Sequence, residues 1–148
     1  MEMKQKLCEE IADEAKLNAA EAKLNAKLPK SYRDFLQTTN GGKPVNSKFR
    51  FKMKDGTEQD STVHYFFGLG SGRVGDLLAK FELFKERIPL GHLPIASDPF
   101  GNLILIRLFG QDPPVFFWDH EIELNEATGS NVSKIANSFS DFIANLQP

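Results

Sequence analysis

Gly70-Ser71-Gly72-Arg73-Val74-Gly75 spaces three glycines as GxGxxG. In a dinucleotide-binding unit that spacing lets the backbone approach a pyrophosphate at a helix N-terminus. Asp98 stands 23 residues beyond Gly75, at the end of an LPIAS run, where an acid on a ribose would stand. Three features count against this chemistry. The residues before the glycines alternate, with polar Thr62 and His64 interleaved with Val63 and Tyr65, whereas the first strand of such a fold is buried on both faces. Asp98 opens a DPFGN turn that leads directly into another strand-like run, so no crossover helix keeps the sheet parallel. The helix-like segments before residue 42 also have no place in that plan. A flexible loop is therefore the expectation for residues 70–75, with nucleotide or small-molecule binding as the lesser alternative.

Other reactive side chains do not form a catalytic set. His64, His92 and His120 are not spaced as ligands of one metal, and neither HxxxH nor CxxC occurs. His120 lies between Asp119 and Glu121, an arrangement compatible with acid–base work, although a solvent-facing strand end accounts for it equally. Ser71 sits in GSG, not GxSxG, and makes no nucleophile elbow. Arg107 interrupts the apolar run LILIRLF. A buried Arg needs a carboxylate or carbonyl partner, so Arg107 is an edge residue, half of an ion pair, or an anchor in a binding groove. Trp118 and the Phe116/Phe117 pair lie at strand spacing, which favours core packing over an aromatic binding platform. The expectation is a protein without catalytic residues, metal or cofactor.

Composition narrows the partners. The 148 residues carry a net charge of −2, with 41% hydrophobic and 26% charged residues, ordinary values for a globular domain. A compact fold of this length buries roughly 68–70% of its unfolded surface. No basic excess marks a nucleic-acid footprint. Charge is uneven, however: residues 1–50 hold ten Lys/Arg against seven Asp/Glu, and residues 101–148 hold two against six. Asp112, Asp119, Glu121, Glu123 and Glu126 occupy a stretch without a single basic residue, a candidate face for a basic partner. Cys8 is the only cysteine, which fits a reducing compartment. The charged N-terminus has no signal-peptide pattern and no run reaches membrane-spanning length. The expected location is the cytoplasm.

The elements that must position these residues are read from periodicity. Leu7, Ile11 and Ala15 recur every four residues, which predicts an N-terminal helix. Asn18 with Glu21 has capping-box spacing and predicts a second helix start. AKLNA occurs at 15–19 and again at 22–26, and the Leu17, Leu24, Leu28 line is expected to face the core. Pro29 suits a helix start. Tyr32, Phe35 and Leu36 share a helical face up to about Thr39, and Asn40-Gly41-Gly42 ends that helix. Phe49 and Phe51 alternate with basic residues, Asp55-Gly56 offers a hairpin turn, and Val63, Tyr65 and Phe67 alternate as its second strand. Helical spacing returns over 74–86. Three strands follow, LPIAS, LILIRLF and VFFWDH, with the middle one apolar enough to be central. Ser138 and Asp141 cap a C-terminal helix. The pattern is one α+β domain over residues 1–148. Its mostly antiparallel sheet of about five to six strands packs against N-terminal, middle and C-terminal helices.

The order and spacing of three pieces resemble the SUKH superfamily, which includes bacterial immunity proteins and eukaryotic regulators of cell-wall synthesis. The pieces are LPKSYRDFLQTTNGG (Leu28, Pro29, Tyr32, Phe35, Asn40, Gly41, Gly42), LPIASDPFGN (Asp98, Gly101, Asn102) and VFFWDHE with Trp118. YFFGLG and the C-terminal SFSDFIANL also match. The resemblance implies a non-enzymatic protein-binding domain, most simply an immunity protein that neutralises a cognate toxin of nuclease or deaminase type. The alternative it implies is a regulatory scaffold. Under that reading Asp112, Asp119, His120, Glu121, Glu123, Glu126 and Arg107 are the candidate partner-binding residues. The protein is expected to act as a monomer or weak dimer, away from nucleic acid and membrane.

Overall fold

The computed structural model describes residues 1–72, 74–122 and 131–148. The strands are β1 (Met3–Lys6), β2 (Gly42–Pro44), β3 (Lys48–Lys52), β4 (Glu58–Thr62), β5 (Tyr65–Phe66), β6 (His92–Ser97), β7 (Leu103–Arg107), β8 (Val115–Trp118) and β9 (Val132–Ala136). The helices are α1 (Glu14–Leu24), α2 (Lys30–Thr38), α3 (Leu77–Phe84) and α4 (Phe139–Ala144). Seven strands form one sheet in the order β1-β2-β5-β6-β7-β8-β9, and β3 with β4 forms a separate hairpin. Every strand pairing is antiparallel. The α+β class and the antiparallel sheet are as expected, with more strands than five or six.

Register fixes which side chains share a face. Leu103 pairs with Trp118 and Ile104 with Phe117. Neighbouring residues of a strand point to opposite faces, so Trp118 and Phe117 diverge. Trp118 meets Phe84 of α3 at 5.8 Å between ring centroids. Phe117 meets Phe51 of the hairpin at 4.7 Å. Phe66, in register with Ala96 and through it with Ile104, lies on the Phe117 face and packs on Phe35 of α2 and Phe142 of α4. One face of the sheet thus carries α2, α4 and the hairpin, and the other carries α3. β7 lies under both layers, with Leu103 to Ile106 all buried. Pro94 has no N–H to give a ladder, and the register of β6 on β7 shifts between Pro94 and Ala96.

Several local expectations need correction. The N-terminal segment is strand, not helix: Met3 to Lys6 pairs with β2, and Ile11 is exposed. The helix begins after Asp13, whose extended backbone and carboxylate, accepting from the Lys16 amide at 2.9 Å, make a true N-cap. Asn18 is therefore inside α1 and caps nothing. Its side chain accepts from Arg33 at 2.9 Å. The second strand of the hairpin is the polar Glu58–Thr62, with Asp55 and Gly56 in the turn. Tyr65 and Phe66 belong instead to the main sheet. β2 has only three residues and β9 follows no clear alternation, so neither is expected from the sequence. The expected Leu17, Leu24, Leu28 line is buried, and α3 and α4 lie where expected, capped by Asp76 and Ser138.

Candidate partner-binding surface

Most of the motif residues hold the scaffold together. Leu28, Tyr32 and Phe35 are core, and Pro29 is the N-cap of α2. The Leu28 amide donates to Glu21 at 2.7 Å, which makes Glu21 a buried brace and not half of a capping box. Asn40 is buried. Its side-chain amide donates to the carbonyls of Glu10 and Leu69, and its oxygen accepts from the Leu69 amide. Gly41 has φ +79°, and a Cβ there would stand 2.8 Å from the Phe66 carbonyl oxygen. Gly42 then enters β2 between β1 and β5. Asp98 is 3% exposed. Its carboxylate accepts from Ser61, the Phe100 amide, the Asn102 amide and the Asn102 side chain at 2.8–3.1 Å. Asn102 in turn accepts from the His120 amide, and His120 Nε2 donates to the Phe100 carbonyl at 2.7 Å. A side chain at Gly101 would press on the His120 ring. Asp98, Gly101, Asn102 and His120 thus form one turn-locking network. Trp118 is fully buried, so it offers no binding platform.

The acidic stretch does not form one face among the described residues. Asp112 precedes β8 and Asp119 follows it, so a four-residue strand of about 13 Å separates them. Asp112 accepts from the Ser140 amide in the first turn of α4 at 3.0 Å. Partial burial pushes its carboxyl up, but hydrogen bonds from the serines around it, Ser140 foremost, together hold it below the ordinary value. Asp119 accepts from the Glu121 amide at 2.9 Å, closing its own turn. Glu121 is exposed. Glu123 and Glu126 lie outside the described residues.

The glycine loop lacks the geometry of a dinucleotide site. β5, which precedes it, runs antiparallel to β6. The N-terminus of α3 is occupied by its own acid: Asp76 accepts from Gly70 and from Ala79. A negative cap there opposes a phosphate. Cys8 sits beside this loop, 3.5 Å from the Leu69 carbonyl, and burial raises its thiol pKa, with Asp76 adding to the effect. Among the described residues no cluster of three His, Cys, Asp or Glu is placed to hold a metal, and no helix is long and apolar enough to cross a membrane.

One part of the sheet carries no helix among the described residues. Beyond the end of α3, the α3 face presents His92, Arg107, Phe116 and Lys134. His92 pairs with Arg107 and Phe116 with Lys134, and the His92 and Phe116 rings meet edge to face at 5.3 Å. Arg107 and Lys134 are exposed, and His92 and Phe116 are half-buried. Arg87 borders them with its guanidinium 5.5 Å from the Trp118 ring. At the rim, the Leu108 amide donates to the Gly91 carbonyl at 2.7 Å, which brings together two loops whose Leu90 and Phe109 are 95% and 78% exposed. Arg107 is thus an exposed strand-end residue. Lys134 was not singled out because β9 was not read as a strand. Its partner on this face was visible only through register.

The SMI1/KNR4 family (SUKH-1) model matches residues 11–145. The SPbeta prophage-derived uncharacterized protein YokK of Bacillus subtilis (strain 168) is 27% identical over 144 residues, covering 88% of this chain and 72% of that protein. With a match across nearly its whole length, the chain belongs to the SMI1/KNR4 (SUKH-1) family, which includes immunity proteins.

Proposed function

We propose that this protein is an immunity protein that binds one toxin domain, of nuclease or deaminase type, and blocks it in the cytoplasm without catalysis. The observation that carries the reading is the family match over residues 11–145. The described geometry supports it: Asn40, Asp98, Asn102 and His120 are engaged in internal hydrogen bonds. Chemistry-bearing side chains thus serve the frame, and exposed surface is what the molecule has to offer a partner. Binding as a monomer or weak dimer suits a small inhibitor that covers one site on its target.

A tagged copy recovered from its native cells tests this. The expected result is one stoichiometric protein partner carrying a toxin-like C-terminal domain, identified by mass spectrometry. Recovery of several signalling or envelope proteins instead would replace the immunity role with the regulatory scaffold role.

A further inference from the structure

Arg107 and Lys134 are the only two basic residues in positions 101–148, against six acidic ones. The fold places both on one open face. They flank Phe116 across β7, β8 and β9, with Cα atoms roughly 12 Å apart by ordinary strand spacing. Neither has a carboxylate within 4 Å among the described residues, where the shortest ion pairs lie elsewhere, at Arg50–Asp60 and Lys30–Asp34. These two cations, without a carboxylate partner among the described residues and with His92 beside them, form a local positive field on a molecule whose net charge is −2. Between them the half-buried Phe116 ring meets His92 edge to face. At the rim Leu90 and Phe109 are almost fully exposed, and such side chains placed together mark contact surfaces more often than solvent-facing ones. Arg and aromatic residues are also the types that carry most binding energy at protein interfaces.

The geometry points to the His92–Arg107–Phe116–Lys134 face as the docking surface for an acidic segment of a protein partner, with carboxylates on Arg107 and Lys134 and apolar side chains on Phe116, Leu90 and Phe109. This rests on the protein-binding role proposed above and names its surface. It is preferred to the acidic stretch as the candidate face, because β8 separates Asp112 from Asp119. A protein segment fits better than a nucleic acid on two counts. The exposed Leu90 and Phe109 require apolar counterparts that a phosphate backbone does not supply. A nucleic acid also presents a row of phosphates that needs many cations, whereas a short acidic segment needs only the two that this face offers.

The test uses the full-length chain labelled for NMR and a capped, extended peptide of about twelve residues, in which Glu alternates with Leu or Tyr. The expected result is saturable shifts confined to Gly91, Arg107, Phe116 and Lys134, with a Kd below about 1 mM at low salt. Raising the salt from about 50 to 300 mM weakens binding at least about fivefold, because the Debye length shrinks. R107E/K134E weakens it about tenfold or more, while E121K at the opposite end leaves it unchanged. Both variant sites are exposed, and unshifted amides elsewhere establish that the fold is kept. The proposal is overturned by shifts away from this face, by no shifts up to about 2 mM peptide, or by equal binding of R107E/K134E. Equal binding of a peptide with Gln in place of Glu also overturns it, and tighter binding of a single-stranded oligonucleotide of similar length reassigns the face to nucleic acid. Peptide binding is read independently of toxin protection. A chain that binds here yet protects against no toxin keeps this surface and loses the immunity role. A chain whose protection survives R107E/K134E loses the surface.

Discussion

Asp98 accepts four hydrogen bonds while almost wholly buried, and its neighbours depend on it for their own partners. Asp98→Ala strands the Phe100 and Asn102 amides and the Ser61 hydroxyl, and unsatisfied buried donors cost about 1–3 kcal/mol each before relaxation and water entry. The expected loss is about 3 kcal/mol, a fall of roughly 6–12 °C in Tm for a chain of this length, measured by thermal unfolding. A midpoint within a degree or two of wild type would show that water replaces the network. Asp112 gives a second expectation, this time in pH. Its folded pKa lies below the unfolded one, so its contribution is present above an unfolded value of about 4 and is lost as pH falls through the folded value. Asp112→Asn therefore lowers urea stability at pH 7 by about 0.5–1 kcal/mol, as for other helix-end carboxylates, and the gap closes as the pH falls through the folded value. A gap that persists in acid would place the effect in packing and not in charge.

Strand pairing explains which elements were legible in the sequence. The α2 helix was visible because Pro29 and the Tyr32, Phe35, Leu36 face report local geometry. The β6, β7 and β8 run was visible because its apolar residues are nearly continuous. β1 was misread because Leu7, Ile11 and Ala15 happen to recur at helical spacing, while the pairing of Met3–Lys6 depends on Gly42–Pro44, some forty residues away in the chain. β9 and the division of Tyr65–Phe66 from the β3–β4 hairpin are also set by distant partners, to which periodicity is blind. The same reasoning makes Gly41 sensitive. It sits at φ +79° against the Phe66 backbone, where β2 joins β5. Gly41→Ala combines left-handed strain of roughly 1–2 kcal/mol with a clash against backbone that cannot rotate away. Chemical denaturation should show a loss of at least about 2 kcal/mol, whereas Gly56→Ala, with open space around it, shows only the strain. Equal losses at the two positions would mean that the β2–β5 seam yields to accommodate the methyl group.

Across the whole molecule, folding redistributes charge that lies in blocks along the chain. Asp112 and Asp119 are set apart by the length of β8, while Arg107 of β7 and Lys134 of β9, neither with an ion-pair partner among the described residues, come together on one side of the sheet. The candidate site was therefore legible only in part: Arg107 stood out because it broke an apolar run, but its companions Phe116, His92 and Lys134 become neighbours only through register. Family membership supplies the frame, and the exposed face supplies what a partner can touch. The most direct measurement of the central claim is growth of a host that expresses the captured partner's toxin domain, with and without this protein. Co-expression is expected to restore colony counts by about a hundredfold or more, with stoichiometric binding near nanomolar Kd, the range of tight inhibitor complexes. Undiminished killing at equal expression, with both proteins folded, would contradict the immunity role outright.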